Sequence, residues 1–207
     1  MDFGITGRTA VVCASSRGLG RGCATALAQA GCRVVVNGRD AAVLERTAEE
    51  IRAATGAEIV PVAADVATPE GQAALLAAAG PGGPDILVTN NAGPPFADFR
   101  AIDRERAIAG VVGNMIVPIE LVQRVVDGMV ERRFGRIVNI TSSSVKMPLA
   151  GLDLSSGARA GLTGFLGGVA RRWRTPTSQS TSSSPAPSTP TACAPGWRRR
   201  PRAGTSP

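Results

Sequence analysis

The stretch Thr9-Ala-Val-Val-Cys13-Ala14-Ser15-Ser16-Arg17-Gly18-Leu19-Gly20 constrains the fold of this chain more than any other. Ala10 to Cys13 form an apolar run of the length of a short buried strand. A Ser/Gly turn interrupts it, and a helical pattern follows through Cys23, Leu27 and Ala30. Strand, glycine turn and helix in that order make a phosphate site. The helix N-terminus offers unpaired N–H groups and partial positive charge, and glycines let backbone approach a pyrophosphate.

The pattern repeats along the chain. Further strands are predicted at 33–37, 58–65, 85–89 and 136–141, and helices after Asp40 (with Val43, Leu44, Ala48 and Ile51 on one face) and at 69–79, 104–132 and 156–172. Asp40 and Thr68 are placed to cap the second and third helices, and Pro69 takes the first helical position of the third. Core residues expected on the long 104–132 helix are Ile116, Ile119, Leu121, Val125 and Met129. Strands alternating with helices imply a doubly wound parallel sheet, a Rossmann fold, with ligands at the carboxyl ends of its strands.

What is missing excludes as much as what is present. No His among the 207 residues removes Ser–His–Asp and Cys–His catalysis and His-ligated metals, so no metal site is expected. No Tyr removes any phenol-based mechanism, and Lys146 is the only lysine. Cys13, Cys23, Cys32 and Cys193 form no CxxC pair and read as inert thiols of a reducing cytoplasm. No run approaches the ~18 apolar residues of a membrane span, and no signal peptide opens the chain. Seven of the 23 basic residues fall in residues 171–207, which hold no acid. The other 16 are balanced by all 16 acidic residues, so a nucleic-acid role for the domain is not supported.

In order along the chain, these motifs resemble the short-chain dehydrogenase/reductase family, near its 3-oxoacyl-carrier-protein reductases. The resemblance spans residues 5–172. The family's TGxxxGxG turn falls on Cys13 to Gly20, with Cys13-Ala14 in place of the first Thr-Gly. Asp65-Val66 matches its adenine-contacting pair, and Asn90-Asn91-Ala92-Gly93 its NNAG loop. That loop sits one residue late, which leaves Thr89 as an alternative occupant of the first Asn slot. Asn114 matches the catalytic-helix Asn, and Arg136 to Ser142 leads to the catalytic Ser. The resemblance implies hydride transfer between a nicotinamide and a carbonyl or secondary alcohol of a small molecule. It also implies a homo-oligomer for the family protein.

NAD-binding members place an acid at the end of the second strand for the ribose 2′-OH. Here that place holds Asn37, with Arg39 two residues on and Arg17 in the glycine turn. Two guanidiniums suit a 2′-phosphate, so NADP is the expected cofactor.

Catalysis is where the chain departs from the family. At the family's spacing from Ser142, the catalytic Tyr falls on Ser155 and the Lys on Arg159, within Leu154-Ser-Ser-Gly-Ala-Arg159-Ala-Gly-Leu-Thr-Gly-Phe165. An aliphatic hydroxyl is far less acidic and shorter than a phenol, and Arg does not deprotonate. Arg159 is expected to replace the ribose-binding Lys, Ser142 to orient substrate, and Asn114 to hold a water or the helix. Lys146, expected beside the cleft and partly desolvated, is the substitute acid to be tested. The alternatives are a nucleotide-binding protein without turnover and a basic-tailed interaction protein.

Beyond Arg171 the composition turns Ser/Thr/Pro/Arg-rich. The chain has 22 Arg and one Lys, which implies a GC-rich gene. One base restored at Arg171-Arg-Trp-Arg174 turns the Ser codons into apolar ones. The result is a strand-like segment followed by a Pro-Gly loop. Residues 1–171 therefore read as an incomplete NADP-binding domain, truncated after the helix that follows the fifth strand. Residues 172–207 read as an out-of-frame, disordered tail.

Overall fold

The computed structural model describes residues 3–172. Five strands, β1 (Thr9–Val12), β2 (Arg33–Gly38), β3 (Ile59–Ala63), β4 (Ile86–Thr89) and β5 (Arg136–Asn139), form one parallel sheet in the order β3-β2-β1-β4-β5. The expected tail, and the frame question attached to it, lie outside the described residues.

Alternation along the central strands explains the layers. Ala10, Val12, Val34, Val36, Ile86 and Val88 pack on one face with Ala24 and Ala28 of α1 (Gly18–Gln29) and Leu44, Ala48 and Ile51 of α2 (Ala41–Thr55). Val11, Cys13, Val35 and Leu87 face the other side. There they meet Leu75 of α3 (Pro69–Ala77) and Val117, Leu121, Val125 and Met129 of α5 (Val117–Glu131). Both faces are covered, so the middles of these strands (Ala10–Val12, Val34–Val36 and Ile86–Val88) are apolar without a break, as in parallel sheets generally. The expected caps are present. Asp40 accepts from Val43 N at 3.1 Å, and Thr68 Oγ1 from Gly71 N at 3.1 Å.

The long helix differs from its expectation. It runs as α4 (Arg104–Val111), one π-helical turn (Val112–Ile116) and then α5. The wider turn advances the helix face, so Ile116 is 37% exposed instead of core, and Val117, Pro118 and Val122 join the buried set. Taken together, Arg104–Glu131 is long and apolar enough to cross a membrane by length and composition alone, with a peak mean hydropathy of 1.4, a test that a core helix also passes. Packing of the α5 face on the sheet accounts for that apolarity. The last helix, α6 (Asp153–Arg172), starts three residues earlier than predicted.

Candidate functional site

β1 lies between β2 and β4, and the chain leaves its carboxyl end in one direction through α1 and returns on the other side at β4. A crevice opens at such a switch point. Here it is a cleft of about 1120 Å³ running from the loops after β1, β2 and β3 to the loop after β4, the π turn and the start of α6. Of the residues expected to hold a cofactor, Ala14, Ser16, Arg17, Gly18, Leu19, Arg39, Asp65, Val66, Asn90, Asn91 and Ala92 line this cleft. Asn114 and Ser155 line it as well.

The turn after β1 shows why its residues are what they are. Gly18 has φ +55, and a Cβ on Gly20 would collide with the Ala14 carbonyl. Only glycine permits α1 to start this close to β1. Ala14 stands at φ +45, a left-handed conformation that a non-glycine residue adopts at a cost. Arg17 precedes α1 with no side-chain cap, so the first N–H groups of the helix are left for another acceptor. Ser15 is fully buried and serves the frame. Its Oγ donates to Val12 O at 2.8 Å and accepts from Asn37 N at 2.8 Å.

Asn37 borders the cleft, but its side-chain amide is engaged within the protein. Its amide nitrogen donates to Val62 O (3.1 Å) and Ala64 O (3.0 Å), and Ala14 N donates to its Oδ1 at 3.4 Å. It therefore ties the ends of β2 and β3 to the turn after β1. Arg39, next along, is exposed on the cleft.

At the other end, the NNAG loop is held by its own side chains. Asn90 Nδ2 donates to Ala14 O at 3.3 Å, and Asn91 Nδ2 to Gly113 O. Thr89, the alternative first-slot residue, is buried and donates to Asn139 Oδ1 at 2.7 Å, cross-linking β4 and β5. Asn114 sits in the π turn, 4% exposed, where its Nδ2 donates to Gly110 O at 2.9 Å. It thus holds the helix, and its Oδ1 has no partner among the described residues. π turns of this kind are frequent at functional sites.

Arg159 is buried. Its guanidinium donates to Ile140 O (2.6 Å), Asn91 Oδ1 (2.7 Å) and, through Nε, Ser155 Oγ (3.3 Å). Burial lowers its pKa from the ordinary arginine value. The side chain lines a small cavity of about 10 Å³ behind the main cleft, with Asn114 on both. Ser142 does not line the cleft. It caps the short 3₁₀ turn Ser143–Val145, accepting from Ser144 N at 3.2 Å, and shares a hydroxyl–hydroxyl bond of 2.9 Å with Ser144. Lys146 ends that turn and is exposed, outside the cleft. The desolvated setting expected for it is not found, because the turn carries residues 146–150 outward.

Sequence reasoning did not find Phe96, Ile102, Arg106, Leu152 and Leu154, which complete the wall of the cleft beyond Asn114. No motif marks them; they meet only through the fold. Of the thiols, Cys13 is buried and pushed up to about 12, by burial above all and against a backbone hydrogen bond involving Asn90. Cys32 shifts the same way. Cys13, Cys23 and Cys32 are free; Cys193 lies outside the described residues. Among the described residues no His/Cys/Asp/Glu cluster is fit for a metal ion.

Comparison with known proteins gives a consistent answer. The sequence model described as "short chain dehydrogenase" matches residues 8–181. L-xylulose reductase of Cavia porcellus is 33% identical over 150 residues, which are 72% of this chain and 59% of that protein. A 3-oxoacyl-[acyl-carrier-protein] reductase of Pseudomonas aeruginosa is 32% identical over 169 residues, 81% of this chain and 68% of that one. Among solved structures, L-sorbose reductase from Gluconobacter frateurii, complexed with NADPH and L-sorbose, superimposes with a TM-score of 0.78. It is 29% identical over 83% of this chain and 66% of that chain. This chain therefore spans under two thirds of the xylulose reductase.

Proposed function

The chain belongs to the short-chain dehydrogenase family, and from that premise we propose that it is an NADP-dependent oxidoreductase of a small carbonyl compound or secondary alcohol. The observation that carries the cofactor reading is the cleft end formed by the glycine turn. There the uncapped N-terminus of α1, Arg17 and Arg39 converge, and the only side chain at the end of β2, Asn37, is uncharged and turned into the sheet. These residues fit a dinucleotide with a 2′-phosphate. Gly18, open to the cleft, admits the pyrophosphate to the helix N-terminus, Arg17 and Arg39 grip the extra phosphate, and Asp65 and Val66 border the adenine. The sorbose reductase, which carries NADPH, supports the same choice.

When bound, the dinucleotide supplies or takes up a hydride. The chain's own part is to hold the substrate oxygen. Ser155 Oγ accepts from Arg159 Nε, which leaves its O–H free to donate into the cleft, with a buried cation behind it as negative charge develops on that oxygen. Ser155 orients and stabilises that oxygen by a hydrogen bond, and the oxygen's proton comes from solvent, because an aliphatic hydroxyl is too weak an acid to give its own up. Arg159 does not line the main cleft; its guanidinium holds Asn91 and Ser155 in place. A 3-oxoacyl substrate, as in the Pseudomonas relative, is one member of the carbonyl class.

A second reading, nucleotide binding without turnover, draws on the absence of any Tyr and on the exposed position of Lys146. Fluorescence titration of the full chain with NADPH and NADH tests the first step. NADPH should bind about 10–100-fold tighter, the value of one or two charge-assisted contacts to phosphate. Arg39→Asp should erase that difference. Equal binding of the two cofactors by the parent protein would defeat the cofactor assignment. NADPH oxidation with a ketone panel then separates enzyme from binder. In that assay Lys146→Met should retain turnover within about twofold, as expected of a side chain outside the cleft.

A further inference from the structure

The strand order divides the cleft. The loops after β1, β2 and β3 make the cofactor end, which contains Arg17, Arg39, Asp40 and Asp65. The end formed by the β4 loop, α4 and the start of α6 has a different character. Its wall is Pro95, Phe96, Ile102, Leu152 and Leu154, with Arg106 as the only charged side chain among the described residues there. Phe96 is 72% exposed at the mouth. It is held against Gly151, and Ala97 N donates to Gly151 O at 3.1 Å, so the two lips of the mouth are joined.

Most polar side chains at this end are engaged within the protein, which leaves Ser155 O–H and Asn114 Oδ1 for a single reacting oxygen. The side-chain amide of Asn90 donates to Ala14 O, that of Asn91 to Gly113 O, and that of Asn114 to Gly110 O, while Asn91 Oδ1 is taken by Arg159. The additional hydroxyls of a polyol would leave water for Pro95, Phe96, Ile102, Leu152 and Leu154, which cannot replace their hydrogen bonds. An apolar body would gain from covering Phe96 and Leu154. Arg106 is not neutralised. Its Nε lies 3.9 Å from Asp103 Oδ2, with both side chains 64% exposed, and one of its Nη groups donates to Ala101 O. A pair this long and this exposed leaves the cation available to a second anion.

We infer that this end of the cleft takes a carbonyl compound with an apolar, alkyl or aryl body and a carboxylate that Arg106 binds, in preference to a polyol ketone. The inference rests on the oxidoreductase reading and deepens it by naming the substrate class. It marks this chain off from the sugar reductases among its relatives.

The test pairs binding with turnover on the full chain. Calorimetric titration with phenylacetate, phenylacetamide and ribitol, all inert to hydride transfer, should show phenylacetate binding at least tenfold tighter than the other two. Arg106→Gln should remove that advantage and Arg106→Lys should recover most of it; Arg106 is exposed, so neither change threatens folding. Phenylacetate binding that is undetectable, or equal in the parent and Arg106→Gln, would overturn the inference. So would tighter binding of ribitol. In parallel, NADPH-dependent reduction of benzoylformate should exceed that of its methyl ester and of L-sorbose, with the difference lost in Arg106→Gln through KM. Absence of turnover on all three ketones would remove the oxidoreductase reading, while the titration still decides the Arg106 site on its own.

Discussion

The two ends of the cleft are built by different means. At the cofactor end, β2 is hydrogen-bonded on both sides and buried from Val34 to Gly38, and the turn is shaped by backbone: glycines, an uncapped helix and one inward Asn. At the substrate end, β5 pairs only with β4 among the described residues and shows alternate exposed and half-buried positions. There the site depends on side chains reaching across elements, with Arg159 of α6 holding the β4 loop and the end of β5. A backbone-built site is specified locally and tolerates little change of shape. A site built from side chains is specified by packing and changes chemistry residue by residue.

Substitutions distinguish the two modes. Gly20→Val places branched bulk against the Ala14 carbonyl and should cost about 3 kcal/mol, at the upper end of overpacking; a urea melt will show it. If it melts like the parent, the turn is not the rigid frame described. Asn37→Asp is the sharper probe. By motif alone it would redirect the site from NADP toward NAD. In the structure it removes the donor to Val62 O and Ala64 O and sets a carboxylate among carbonyls, so a loss of about 2–3 kcal/mol should outweigh any cofactor switch. Melting and NADH binding measured on the same variant will rank the two effects.

Arg159→Ala strips three acceptors of a charged donor and should cost about 2 kcal/mol, with Arg159→Lys in between because it loses the fork geometry. NADPH affinity at the far end should change less than stability does, and a parallel loss of both would merge the two regions into one unit. The thiol of Cys13 gives a pH signature. Its folded pKa lies above the ordinary 9.0, so the unfolded chain ionises first, and stability present below pH 9 is lost as pH rises toward 12. At pH 10 the loss is about 1.4 kcal/mol, and Cys13→Ala should flatten the decline in urea midpoints. Smallest is Ala14→Gly, which relieves the left-handed φ and should stabilise by about 0.5–1 kcal/mol.

The fold was legible because it is local. Alternating apolar strands, caps at Asp40 and Thr68 and the glycine turn are short-range patterns, and the parallel sheet followed from their order. Ile116 went astray because a π turn leaves no mark in an apolar helix sequence. Lys146 is exposed where a partly desolvated setting was expected, because a motif fixes spacing along the chain and not the direction in which a 3₁₀ turn sends the residue that follows it. Asn37 was legible only as the absence of an acid at the end of the second strand, and its hydrogen bonds to a neighbouring strand end appear only once β3 is paired to β2.

By itself, then, the sequence determined the sheet, the glycine turn, the family and the exclusion of phenol and imidazole chemistry, because backbone periodicity and missing residue types need no neighbours to be read. The tertiary structure alone decided that Arg159 is a buried clamp, that Asn37 belongs to the frame and that Arg106 shares an apolar wall with Phe96 and Leu154. Those facts depend on residues far apart in sequence meeting at one point, and packing sets that meeting.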